Sequence, residues 1–178
     1  MHNKPILRIV YISLLISIQI ILTRCLSISL PFIKITFGFL PSVIIAIVYG
    51  PIYSSVSFGL ASFIGATLFP VTGYFVGFTI SAFLSGFIFG VFLYKKPKQV
   101  WRVLCSVLIV SIVINLFINT LWLSIVLGQA YRCILAWRIS KLLIMPFIMF
   151  FAIWYMCYPL IKFLKLRKIL AVDDHPLN

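Results

Sequence analysis

Between Leu7 and Leu164 the chain alternates apolar stretches with short polar breaks, and most of these stretches match the roughly 30 Å of hydrocarbon that a membrane helix must cross. They cover residues 7–22, 38–49, 51–69, 74–94, 103–127 and 139–164, the second being short. Only Gly50 and Pro51 separate the second from the third, which predicts a tight turn there. At 63% hydrophobic and 10% charged, with a mean hydropathy of +1.21, the chain is excluded from ordinary soluble domains. The expected fold is therefore all-α: a polytopic bundle of six transmembrane helices forming one domain over residues 1–170, with a polar tail at 171–178. No small-residue cleavage site follows the first stretch, so it is expected to remain as a span and not to act as a removable leader.

Charge is distributed as unevenly as hydropathy. The chain carries 15 Lys and Arg, and its only acids, Asp173 and Asp174, lie among the last six residues. A net charge of +13 could suggest a nucleic-acid partner, but the cations sit at the ends of apolar segments instead of covering a water-facing surface. No nucleic-acid partner is expected. Cytoplasmic loops attract Lys and Arg, so six spans with both termini cytoplasmic account for Lys4, Arg8, Lys95, Lys96, Lys98, Arg102, Lys162, Lys165, Arg167 and Lys168. Arg24, Lys34, Arg132, Arg138 and Lys141 remain, all on the outer side in or beside the loops after spans one and five. An unpaired cation in an apolar setting costs a few kcal/mol and must find an anion or carbonyls. These side chains snorkel to lipid headgroups, bond loop carbonyls or meet an anion from outside the chain. Arg138 and Lys141, at i and i+3, share one helix face.

The fifth stretch adds polar groups in the same half of the membrane. Asn115, Asn119 and Trp122 recur at i, i+4 and i+7, one stripe on a helix. Amides at that depth serve either as hydrogen-bonded glue between helices or as ligand contacts, and a Trp nearer the surface is either an interfacial anchor or a ring to stack on. Between the third and fourth stretches, Pro70, Gly73 and Gly77 surround Tyr74 and Phe75, a hairpin suited to holding aromatic rings at the mouth of a bundle. Residues 27–37 alternate in part and read as an extended flap.

Catalysis finds no support. His2 and His175 lie at the two ends, no membrane carboxylate is available for acid–base work or ion coupling, and no Gly-x-x-x-x-Gly-Lys phosphate loop occurs. Cys25, Cys105, Cys133 and Cys157 lack metal-ligand spacing, so neither a metal nor another cofactor is expected.

In order along the chain, Arg24-Cys-Leu-Ser-Ile28, Phe37-Gly-Phe-Leu-Pro41, Phe69-Pro70, Gly73-Tyr-Phe-Val-Gly-Phe-Thr79, Asn119-Thr-Leu-Trp-Leu123 and Arg138 followed by Pro146 form a pattern. It resembles the folate-specific substrate-binding (S) components of energy-coupling factor (ECF) transporters, and the likeness runs from about Leu7 to Leu164. The resemblance implies a multi-pass protein of the prokaryotic plasma membrane that captures folate at its outer face. It also implies partners: a transmembrane coupling subunit and two ATPase subunits. The chain departs from the family's pattern at Val76, at Ser62 and at Met149, where a second Pro, an acid and a Gln are usual. With folate as ligand, Asn115 and Asn119 are expected on the pterin, Tyr74, Phe75 and Trp122 around its rings, and Arg24, Arg138 and Lys141 on the glutamate carboxylates. Lys34 and Arg132 are left to steer or cover. Ser13 and Ser17 hold the i, i+4 small-residue spacing with which S components approach the coupling subunit. The rival readings are an S component for another vitamin, an independent small-solute carrier, a lipid-directed membrane enzyme and an assembly protein.

Overall fold

The computed structural model describes residues 4–24, 28–29, 34–35, 37–68, 75–94, 99–128, 138, 142 and 145–159. Helix α1 spans Lys4–Arg24, α2 Phe39–Tyr49, α3 Pro51–Leu68, α4 Val76–Leu93, α5 Val100–Leu127 and α6 Met145–Cys157. Among the described residues, the strands form one minimal antiparallel pair. Strands β1 (Ile28–Ser29) and β2 (Lys34–Ile35) pair Ile28 with Ile35 and Ser29 with Lys34, inside the stretch read as an extended flap. The other described elements are helices, as the expected all-α class requires, and the pair does not change that class.

Helices α1, α3, α4 and α5 each contain a segment long and apolar enough to cross a membrane, whereas α2 and α6 are shorter apolar helices. Helix is the natural solution here, because a lipid-exposed backbone must satisfy its own hydrogen bonds. The ends differ from the sequence reading by a few residues. Helix α5 begins at Val100, three residues earlier than expected, with Arg102 Nε donating to Gln99 Oε1 at 2.8 Å. Helix α4 begins at Val76, because Phe75 stays extended as its cap. The sixth stretch is described through α6, and most of residues 139–144 and 160–164 lie outside the described residues.

The shortest helix occupies the centre. Every residue of α2 from Leu40 to Ile47 is buried, and Val43, Ile45 and Ala46 are wholly so. From Leu40 to Ile47, Ser42 is the one polar residue, and the other helices pack around this segment. Phe58 of α3, Phe89 and Leu93 of α4, Val103, Val107 and Val110 of α5, and Met149 and Ile153 of α6 close one core around it. Helix α1 stands at the edge, with most of its apolar side chains exposed.

Two devices bring α2, α3 and α4 close. Gly50, at φ +98°, takes a backbone conformation that side chains disfavour and turns the chain between α2 and α3. On α4, Gly86 and Gly90 present bare backbone to α3: a Cβ at Gly86 would lie 2.5 Å from the Ser54 carbonyl oxygen, and one at Gly90 would strike Pro51. Close backbone approach through small residues gives the van der Waals packing that holds helices together in lipid. Ser55 Oγ adds a hydrogen bond to Phe83 O at 2.8 Å.

Candidate ligand cavity

Helix α5 changes register in mid-course. Its first part, Val100–Ile109, is α-helical, Val110–Ile118 is π-helical, and Asn119–Leu127 returns to α. The middle segment, Val-Ser-Ile-Val-Ile-Asn-Leu-Phe-Ile, is rich in β-branched residues that lose χ1 freedom in an α-helix. At the end of the π stretch the Asn119 N–H reaches back to Ile114 O, one residue further than an α-helix would. Passing from π to α leaves a carbonyl at the junction short of an in-helix donor, and such junctions frequently mark functional sites.

Arg138 takes up that position. Its Nη1 donates to Asn115 O at 3.0 Å and to Thr120 Oγ1 at 3.2 Å, Thr120 being fully buried. The guanidinium is half-buried, with no acid of this chain nearer in sequence than Asp173. Nη2 and Nε make no hydrogen bond among the described residues, so the planar fork keeps donors to offer.

Below it lies a cavity of about 180 Å³ among α2, α3, α4, α5 and α6. Phe39, Phe58, Phe89 and Met149 form apolar walls, and Ser85, Ser111, Asn115 and Arg138 supply the polar groups. Asn119 is tied to this set through Nδ2, which donates to Asn115 Oδ1 at 3.2 Å, while its own Oδ1 is buried without a hydrogen-bond partner among the described residues. One turn further along α5, Trp122 Nε1 donates to Ser81 Oγ at 3.1 Å, and its ring lies 5.4 Å from that of Phe75 at a tilt of 49°. Gly77 makes room for this pair, since a Cβ there would sit 2.5 Å from Trp122 Cδ2. A concave, largely apolar space with a few convergent polar groups is the usual form of a small-molecule site.

The residues expected from sequence thus divide. Asn115 and Arg138 line the cavity, Asn119 joins it through Asn115, and Phe75 with Trp122 forms an aromatic pair against α4, beside the cavity lining. Arg24 ends α1, and Tyr74, Lys141 and Arg132 lie outside the described residues. Ser13 and Ser17 are both exposed on α1, with Ser17 Oγ bonded to Ser13 O at 3.0 Å. Sequence reasoning assigned no role to Ser111, Thr120 or Ser85. Ser111 was within reach, standing one turn before Asn115 at the same i, i+4 spacing; Ser85 and Thr120 carry no signal until α4, α5 and Arg138 are packed together.

Residues 7–156 match the family model for the substrate-specific component of ECF transporters, and the chain belongs to that family. Among its relatives, the folate transporter FolT of Clostridium novyi (strain NT) is 38% identical over 142 residues, 80% of this chain and 83% of that one. The folate transporter FolT of Leuconostoc mesenteroides is 30% identical over 123 residues, 68% of this chain and 66% of that one. A crystal structure of FolT bound with folic acid superposes with a TM-score of 0.78 at 34% identity, covering 85% of this chain and 93% of that chain.

Proposed function

We propose that this chain binds folate within the membrane, at its outer face, as the substrate-specific component of an ECF transporter. The observation that carries the reading is the Arg138 guanidinium, set without an internal acid beside a cavity that also holds the Asn115 amide. Folate suits such a site. Its pterin offers hydrogen-bonding edges, its middle is flat and aromatic, and its glutamate tail carries two carboxylates. Asn115 and Asn119 take the pterin, Phe75, Trp122 and Tyr74 pack the rings, and Arg138, with Arg24 and Lys141, meets the carboxylates. Likeness to FolT from two organisms and to a folic-acid-bound FolT structure supports the same ligand.

The wider arrangement follows from charge and family. Six spans with both termini cytoplasmic place the protein in the plasma membrane with its cavity mouth outward. A transmembrane coupling subunit docks on the Ser13–Ser17 face of α1, and two ATPase subunits supply the energy. The chain itself hydrolyses nothing.

One thermal-shift experiment on the purified protein tests the ligand, with folate, 5-formyltetrahydrofolate, pantothenate, thiamine and riboflavin side by side. A folate form is expected to raise the melting temperature at the lowest concentration. A response to thiamine or riboflavin with none to either folate would transfer the protein to another vitamin.

A further inference from the structure

We infer that Ser111 is a specificity-determining residue of this cavity, holding the innermost hydrogen-bonding edge of the ligand's heterocycle; the inference rests on the folate reading above. Ser111 is 2% exposed and lines the cavity, and its Oγ is buried without a hydrogen-bond partner among the described residues. Several helix hydroxyls elsewhere among the described residues satisfy themselves on the preceding turn, and others bond to a neighbouring helix, as Ser55 does to Phe83 O. Ser17 bonds to Ser13 O at 3.0 Å, Ser57 to Tyr53 O at 2.7 Å, Ser85 to Ser81 O at 2.8 Å and Ser106 to Val103 O at 2.9 Å. Ser111 stands in the π-helical part of α5 and makes no such bond.

A hydroxyl that is buried and unpaired in the lining of a cavity is a group waiting for a partner, because leaving its hydrogen bond unmade costs more than making it gains. Its surroundings sharpen the demand. Phe89, Val110 and Met149 line the same cavity and keep the local dielectric low. Ser111 lies one turn of α5 from Asn115, on the side away from Asn119 and Trp122, so it addresses the end of a ligand that penetrates furthest. Since a hydroxyl both donates and accepts, it fits a ring nitrogen, a ring N–H or an exocyclic amine equally. It penalises a carbocyclic edge, which would leave it unpaired, and discrimination of this kind is stronger than shape alone provides.

The test measures affinity for folate and for pteroate, which keeps the pterin but lacks the glutamate, together with the ligand-free melting temperature of the full chain. Ser111→Ala is expected to weaken both ligands by the same factor, about tenfold or more, with the ligand-free melting temperature unchanged or raised. Ser111→Thr, which restores a hydroxyl, is expected to recover most of that loss. Affinities of Ser111→Ala within threefold of the unsubstituted protein would overturn the inference. So would a loss seen with folate but not pteroate, a matching fall in ligand-free stability, or a Thr variant as weak as the Ala variant. If the unsubstituted protein binds folate and Ser111→Ala binds it equally well, this inference alone falls; if the unsubstituted protein does not bind folate, the folate reading falls with it.

Discussion

Arg138 concentrates the site's electrostatics in one side chain. Its Nη1 bonds to Asn115 O and Thr120 Oγ1 satisfy part of a guanidinium that no acid accompanies among the described residues, and they leave Nη2 and Nε as donors to offer. Arg138→Ala is therefore expected to weaken folate binding by about 2–5 kcal/mol, the range for truncating one side of a buried charged pair. Arg138→Lys should recover only part of it, because an ammonium cannot reproduce a bidentate fork. Titration calorimetry of both variants checks this, and an Ala variant within about 1 kcal/mol of the original would remove Arg138 from the ligand. Sequence singled out Arg138 as a cation in need of a partner. It could not show that carbonyl and hydroxyl oxygens of α5 would partner it, because that depends on how a residue 18 to 23 positions away folds back.

At the scale of elements, two helix faces have opposite tasks. On α4, Gly86 and Gly90 are pressed against the backbone of α3, and the Ser54 carbonyl has no flexible end that could give way. Gly86→Val should cost about 1–3 kcal/mol of stability, as overpacking does, and a thermal melt in detergent reads it. On α1, Ser13 and Ser17 face outward from a helix that buries little of itself. Ser13→Phe with Ser17→Phe should leave folate affinity unchanged while reducing uptake by cells that also express the coupling module; unimpaired uptake would move the docking face elsewhere. The helices themselves were largely legible, because a span announces itself by apolar length. The π segment of α5 was not, since hydrophobic periodicity over nine residues scarcely separates π from α. Nor was the burial of α2, which as a sequence is only a short apolar run.

For the whole molecule, the proposed function implies a division of labour: a binding unit with its own cavity, dependent on partners for energy. Uptake of labelled folate is expected only when the coupling subunit and ATPases are co-expressed, while binding to membranes containing this chain alone persists. Uptake by the isolated chain would instead favour an independent carrier. The amino-acid sequence by itself determined a membrane-embedded helical protein, its turn at Gly50, and the cations and amides set into apolar stretches. Those properties follow from hydropathy and charge, which each residue carries wherever it is placed. Only the tertiary structure decided that α2 is the axis of the core, that Arg138 reaches Asn115 and Thr120, and that Ser111 opens into the same cavity as both Asn115 and Arg138. Such relations depend on close backbone approach and on a one-residue register shift within a helix, and neither is written in the local order of residues.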